Sequence, residues 1–331
     1  MRRRRLIGVA VLLSWVMIGS GLATAWATAG PVPVDSASAL ATVVVSSSSQ
    51  TKLTPTVRAQ ALEVDITNPM NSTGLPLALQ QHCFSSKERQ TLSNPKPCIF
   101  GNPHSTITVV LFGSSAVDDW TPALKIAATR LNIRVATFQY EGCYTPFVTG
   151  LGHDCTTFHQ NLPRAISALH PTVVMAVAAA DSAGAAGDER YVSGMQRAFD
   201  AVGQLSPNAR RVLWGTTPRL TTPVPACLIM RPQAIKSCGL TYSPSSTAPH
   251  SYGRVLRRDV VTAQRASATL VPVSSWFCTA TFCPAVIGDR MVYVDFLHVS
   301  ANYSRYLATM VTTQLRALVS PVVTTTSTTL P

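Results

Sequence analysis

Short apolar runs alternate along the middle of the chain with longer stretches whose apolar positions recur every three or four residues. ITVVLF (107–112), IRVATF (133–138), TVVMAVAAA (172–180), RRVLWG (210–215) and ATLVPV (268–273) read as strands. They are short, β-branched and nearly continuous in hydrophobicity, as strands covered on both faces are. The intervening pattern predicts helices over 119–131, 160–169, 189–204, 251–267 and 300–319, with Pro122 tolerated in a first turn. Alternating strands and helices predict an α/β fold: a three-layer α/β/α sandwich with a mostly parallel, about five-stranded sheet. Ligands of such sheets bind outside the carboxyl ends of the strands, so the loops after 112, 138, 180, 215 and 273 are where chemistry is expected.

The two ends break this pattern. Arg2–Arg5 precede an apolar run from Leu6 to about Ala27 that closes with small residues at Ala25 and Ala27. A basic start, an apolar centre and A-x-A spacing describe an export signal. The run is also long enough to span a bilayer as an uncleaved anchor. Residues 28–52 are rich in Ala, Val, Ser and Thr and read as a flexible linker, 53–320 as the folded domain, and 321–331 as a disordered Thr-rich tail. Membrane contact is expected only through the N-terminal segment, if it is retained, and the localisation as secreted or cell envelope.

With 46% hydrophobic and 13% charged residues, the 331-residue chain has the composition of a folded protein. Its formal charge is +12, of which Arg2–Arg5 supply four, and the remaining basic residues are scattered. No basic stripe with interleaved aromatics is present, so nucleic acid is not an expected partner. Eight cysteines follow the export signal, which makes disulfides the default reading. Adjacency pairs them as Cys83–Cys98, Cys143–Cys155, Cys227–Cys238 and Cys278–Cys283. Zinc would want C-x2-C pairs or nearby histidines, and a redox pair would want C-x-x-C; neither spacing occurs. No metal and no organic cofactor is expected.

Two features carry candidate chemistry. Gly113-Ser114-Ser115-Ala116 follows the first predicted strand, where a serine presents its hydroxyl at the sheet edge with its amide near a helix start. Taken alone, such a serine is also an ordinary helix cap. Asp295-Phe296-Leu297-His298 precedes the last helix; an Asp three residues before a His folds back within one turn to orient the imidazole. Asp118-Asp119 reads as a helix start, where carboxylates are favoured, and His153 and His159 as surface residues.

The ordered set formed by these motifs and the cysteines resembles the SGNH (GDSL-like) hydrolase superfamily. It is most similar to the SGNH domain associated with acyltransferase-family-3 membrane proteins. The resemblance covers about 80–320. It is carried by Cys98-Ile99-Phe100-Gly101, VVLFGSSAVDDWTPAL, Cys143 and Cys155, Pro225-Ala226-Cys227-Leu228, Trp276-Phe277-Cys278, Cys283-Pro284, Tyr293-x-Asp295-x-x-His298 and Tyr303. It implies Ser115 as nucleophile, His298 as general base and then acid, Asp295 as its orienting partner, and the Ser115 amide as an oxyanion donor. The resemblance offers Gly142 as the counterpart of the family's oxyanion glycine after the second strand; by itself it also reads as a turn glycine. The third-strand loop, with Asp181 and Ser182, lacks the family's Asn. The family's G-D-S-H has become Gly113-Ser114-Ser115-Ala116: the nucleophile stays and both neighbours change.

The implied function is that of an exported serine esterase or O-acyltransferase acting on acetyl-like esters of cell-envelope glycans through an acyl-enzyme. Its partners would be an acylated glycan or other acyl ester and, since the sequence has one long hydrophobic segment, a separate membrane acyltransferase. The competing reading is a catalytically degenerate SGNH-like module that binds a glycan or serves as a scaffold, which the changes at Ser114 and Ala116 favour.

Overall fold

The computed structural model describes residues 33–64, 92–178 and 185–320. The export signal or anchor over 1–27, the first residues of the expected linker, Cys83, Asp181, Ser182 and the tail over 321–331 lie outside the described residues. Among these described residues, no helix is long and apolar enough to cross a membrane.

Six strands form the central sheet: β1 (Cys98–Gly101), β2 (Thr108–Gly113), β3 (Arg134–Gln139), β4 (Val173–Val177), β5 (Arg210–Trp214) and β6 (Thr269–Val271), in the order β1-β3-β2-β4-β5-β6. β1 runs antiparallel to β3, and every other pairing is parallel. The fold is the expected mostly parallel α/β/α sandwich, with β1 as a sixth strand. The hydrophobic pattern hid β1 because it is an edge: it is four residues long, and Ile99 points to solvent. Gly101 ends it with φ +77, where a Cβ would collide with the Ile133 carbonyl.

The period of two along each strand divides the core into two layers. Val109 and Leu111 face one side with Val173, Met175, Val212 and Trp214. Val110 and Phe112 face the other with Val174, Ala176 and Leu213. The first layer is covered by Thr121–Leu131 and the C-terminal helices Ala301–Tyr306 and Ala308–Val319. The second is covered by His153–Ser167 and Ala185–Leu205. The helix expected over 160–169 thus begins a full turn and more earlier, and Pro163 sits inside it. The C-terminal stretch expected as one helix is broken at Leu307.

Residues 33–52 correct the expectation of a flexible linker. Ser36 caps the helix Ala37–Ser48 by accepting the Ala39 N–H, and Leu40 and Val44, one turn apart, are buried in the first core layer. The segment is tied at both ends: Val34 donates to the Tyr306 carbonyl at 3.0 Å, and the Thr51 carbonyl accepts from Ile235 at 3.0 Å. Its Ala/Val/Ser composition conceals a docking stripe of two large residues.

Three disulfides close loops between these elements: Cys143–Cys155, Cys227–Cys238 and Cys278–Cys283, as adjacency had paired them. Cys98 is buried at the start of β1, and its expected partner Cys83 lies outside the described residues. His159 is buried rather than exposed: it stacks on Phe147 with 4.3 Å between ring centroids, and its Nε2 lies 3.4 Å from Cys143 Sγ. Burial pushes its pKa down to about 4.

The docked N-terminal helix generates a prediction. Leu40→Ala empties a fully enclosed site and is expected to cost about 2–4 kcal/mol, read as a lower denaturant midpoint at unchanged slope. An unchanged midpoint would show that the helix does not contribute to the core.

Candidate active site

β2 is flanked by β3 on one side and β4 on the other. The chain therefore leaves the carboxyl end of β2 at the point where the strand order reverses, the crevice that parallel sheets use for ligands. Gly113 is the last residue of β2, and Ser115–Val117 form a single 3-10 turn whose first residue is Ser115. Ser114 caps that turn, its hydroxyl 3.5 Å from the Ala116 amide. The Ser115 amide donates to no acceptor among the described residues.

The second functional turn comes from 183 residues further on. Asp295 Oδ1 accepts the Leu297 and His298 amides at 2.6 and 2.7 Å, folding the turn around its own side chain. Asp295 Oδ2 lies 2.6 Å from His298 Nδ1. The loop after β5 supports this turn from below: Leu220 and Val224 donate to the Phe296 and Asp295 carbonyls at 2.8 and 3.0 Å. On the far side, Ser300 caps the helix Ala301–Tyr306 and bonds back to the Met291 carbonyl. His298 is thereby aimed at the Ser115 turn, and its Nε2 lies 2.9 Å from Ser115 Oγ. The structure brings together Ser115, His298 and Asp295 in one chain of hydrogen bonds.

Ionisation fixes the tautomer. Burial raises the Asp295 pKa, but the hydrogen bond and charge of His298 and the two amides outweigh it and hold the carboxyl below its ordinary value. An ionised carboxylate only accepts, so Nδ1 carries a proton, and in the neutral imidazole Nε2 is left to accept from the Ser115 hydroxyl. Such a chain can deprotonate a serine, and then return the proton to a leaving group.

Asp118 and Asp119 do not start a solvent-facing helix; both are buried. Asp118 accepts from Gln139 Nε2 with both oxygens at 3.0 Å, and Asp119 Oδ1 accepts the Val299 amide at 2.9 Å. Burial drives the Asp118 pKa up to about 7, against the Gln139 hydrogen bond and the His298 charge, and drives that of Asp119 well upward. Burial also opposes an imidazolium at His298. The hydrogen bond to Asp295 and the charges of Asp119, Asp295 and Asp118 overcome it and raise the pKa to about 9. Since Asp118 and Asp119 are themselves drawn toward neutrality, their pull on His298 is strongest at alkaline pH. These two acids were missed because their local sequence is that of a capped helix start. The clue was that Val117 and Trp120, both apolar, bracket them.

Gly142 lies in the exposed turn after β3 with φ +68, a left-handed conformation, and open space surrounds the position of a Cβ. That backbone accounts for the glycine by itself.

A family model described as the SGNH domain (fused to AT3 domains) matches residues 82–313. Among solved structures, the chain is similar to the periplasmic domain of the lipopolysaccharide acetyltransferase of Salmonella ser. Paratyphi A. The TM-score is 0.53 at 13% identity, over 64% of this chain and 84% of that one, which is a likeness of fold. A putative GDSL-like lipase from Parabacteroides merdae aligns with TM-score 0.41 at 12% identity, over 66% of this chain and 98% of that one. No curated protein matches the sequence.

The electrostatics of the site set a pH dependence. A folded-state pKa raised above the unfolded value means that protonated His298 stabilises the fold fully below about pH 6.5. That contribution is lost as the pH rises through about 9. By NMR, the His298 ring is expected to titrate well above 6.5, and Asp295→Asn to lower that midpoint. A wild-type midpoint at or below 6.5 would contradict the assignment of these charges.

Proposed function

The chain belongs to the family of SGNH domains fused to AT3 domains, and on that premise we propose that it is a serine esterase or O-acyltransferase using Ser115, His298 and Asp295. The observation that carries this reading is the continuous path from Ser115 Oγ to His298 Nε2 at 2.9 Å and from His298 Nδ1 to Asp295 Oδ2 at 2.6 Å. In the proposed reaction, His298 Nε2 takes the hydroxyl proton as Ser115 Oγ bonds to the acyl carbon. The Ser115 amide faces the developing oxyanion, with Gly142 as the second donor that the family resemblance offers. Collapse of the tetrahedral adduct breaks the bond to the leaving oxygen, which takes the proton from His298. Water or a sugar hydroxyl then gives its proton to Nε2 and attacks the acyl-enzyme; the bond to Ser115 Oγ breaks, and His298 returns that proton to the serine oxygen. Asp295 stays ionised throughout and stabilises the imidazolium.

The substrate class we propose is an acetyl-like ester on a cell-envelope glycan. The family's fusion to AT3 domains supports acyl transfer, and the basic balance of the chain suits anionic envelope polymers. An exported location is part of the same reading, supported by the basic and apolar N-terminal run and the three disulfides. Where transfer rather than hydrolysis is the outcome, a separate membrane acyltransferase would supply the acyl group.

The test is labelling of the full oxidised chain with a fluorophosphonate serine probe, read by intact mass and peptide mapping. One adduct at Ser115 is expected in the wild type and none in Ser115→Ala, with the rate in His298→Ala lower by about 100-fold or more. Labelling should also accelerate as the pH rises toward 9, because only neutral imidazole accepts the proton. A well-folded wild type that takes no label would point instead to a glycan-holding module in which the altered Gly113–Ala116 loop has lost the chemistry.

A further inference from the structure

The turn that carries the nucleophile extends to Asp119, and Asp119 reaches the turn that carries the base. Its Oδ1 accepts the amide of Val299, the residue directly after His298, at 2.9 Å. Among the described residues, this and the Ser115–His298 contact are the two hydrogen bonds that join the 113–119 turn to the 295–299 turn. Other hydrogen bonds of the His298 turn, to its own Asp295, between Val294 and His298 and with the loop after β5, do not reach the Ser115 turn.

We infer that Asp119 is a positioning residue for His298, holding the base against the nucleophile turn and placing a second carboxyl beside the ring in addition to Asp295. The inference rests on the reading of His298 as the base for Ser115. Three observations converge on it. Asp119 is fully enclosed, so its acceptor is not shared with solvent and its position is fixed by packing. The charged and titratable groups facing His298 are Asp295 from its own turn and Asp118 and Asp119 from the nucleophile turn. Those facing Asp119 are His298, Asp295 and Asp118, with the Tyr293 phenol beside it; Glu141 bears on Asp118. An ionised Asp119 therefore stabilises the imidazolium formed when Ser115 gives up its proton. Finally, the acid that the related motif carries just before the nucleophile is Ser114 here, and among the described residues its hydroxyl reaches only the Ala116 amide. A carboxyl four residues after the nucleophile supplies support that Ser114 cannot.

Asp119→Asn and Asp119→Ala in the full oxidised chain separate the two parts of this role. Asn keeps a carbonyl oxygen for the Val299 amide and removes the charge. The His298 ring, followed by NMR, is then expected to titrate at lower pH than in the wild type. The rising limb of fluorophosphonate labelling should move with it, so that labelling at pH 7 increases severalfold. Ala removes the acceptor as well. Its plateau labelling rate is expected to fall more than tenfold, with most of the rate restored in Asn. A His298 midpoint unmoved in Asn, or an Ala plateau within twofold of wild type, overturns the inference. If Ala does not fold, the Asn midpoint decides alone. If the wild type takes no label, the nucleophile reading fails, while the ring titration still decides for or against Asp119.

Discussion

The hydrogen bond between Ser115 and His298 joins turns 183 residues apart in the chain, and a contact of 2.9 Å over that separation needs a rigid bed. The bed is aromatic. Trp120, just after the Ser115 turn, meets Trp214 at the end of β5, Trp276 and Phe277 edge-on, with ring centroids 5.3 to 6.1 Å apart. Phe277 in turn meets Tyr293 and Tyr303, which flank the His298 turn. Edge-to-face packing fixes ring orientation as well as distance. The segments before and after each functional turn are thus anchored to one cluster, leaving the turns themselves little freedom.

On that bed the site concentrates charge where solvent is scarce. Three carboxyls surround one imidazole, and they are held differently. Asp295 is mostly buried but saturated by one imidazole and two amides, which keeps it ionised. Asp118 and Asp119 are enclosed, with few donors, and drift toward their neutral forms. Burial without enough hydrogen bonds separates the behaviour of chemically identical groups. The arrangement favours the imidazolium over neutral imidazole, which stabilises the charged intermediate but leaves little free base near neutral pH.

The disulfides work on the same edge of the sheet. Cys143–Cys155 ties the loop after β3 to the helix His153–Ser167, and Cys227–Cys238 and Cys278–Cys283 close loops that follow β5 and β6. Each spans a short separation, so it restrains local loop conformations rather than the global topology. With the docked helix Ala37–Ser48, whose Ser47 hydroxyl accepts the Gly288 amide, Cys278–Cys283 braces the long irregular region between β6 and the His298 turn.

The layer architecture, the parallel sheet and the places of Ser115, Asp295 and His298 were legible in the sequence, because they rest on local facts. Strand and helix periods report burial directly, the D-x-x-H spacing closes within one turn, and cysteines near in sequence are near in space. Tertiary structure alone decided what depends on partners far along the chain. β1 became a strand because β3 offers it an edge, and Ala37–Ser48 is a docked helix because the core has room for Leu40 and Val44. Asp118 and Asp119 carry the sequence of an ordinary helix start, and only the return of Val299 and His298, 180 residues later, buries them beside the imidazole. Local pattern encodes which face a residue turns inward, while the identity of what it meets there is set by the path of the whole chain.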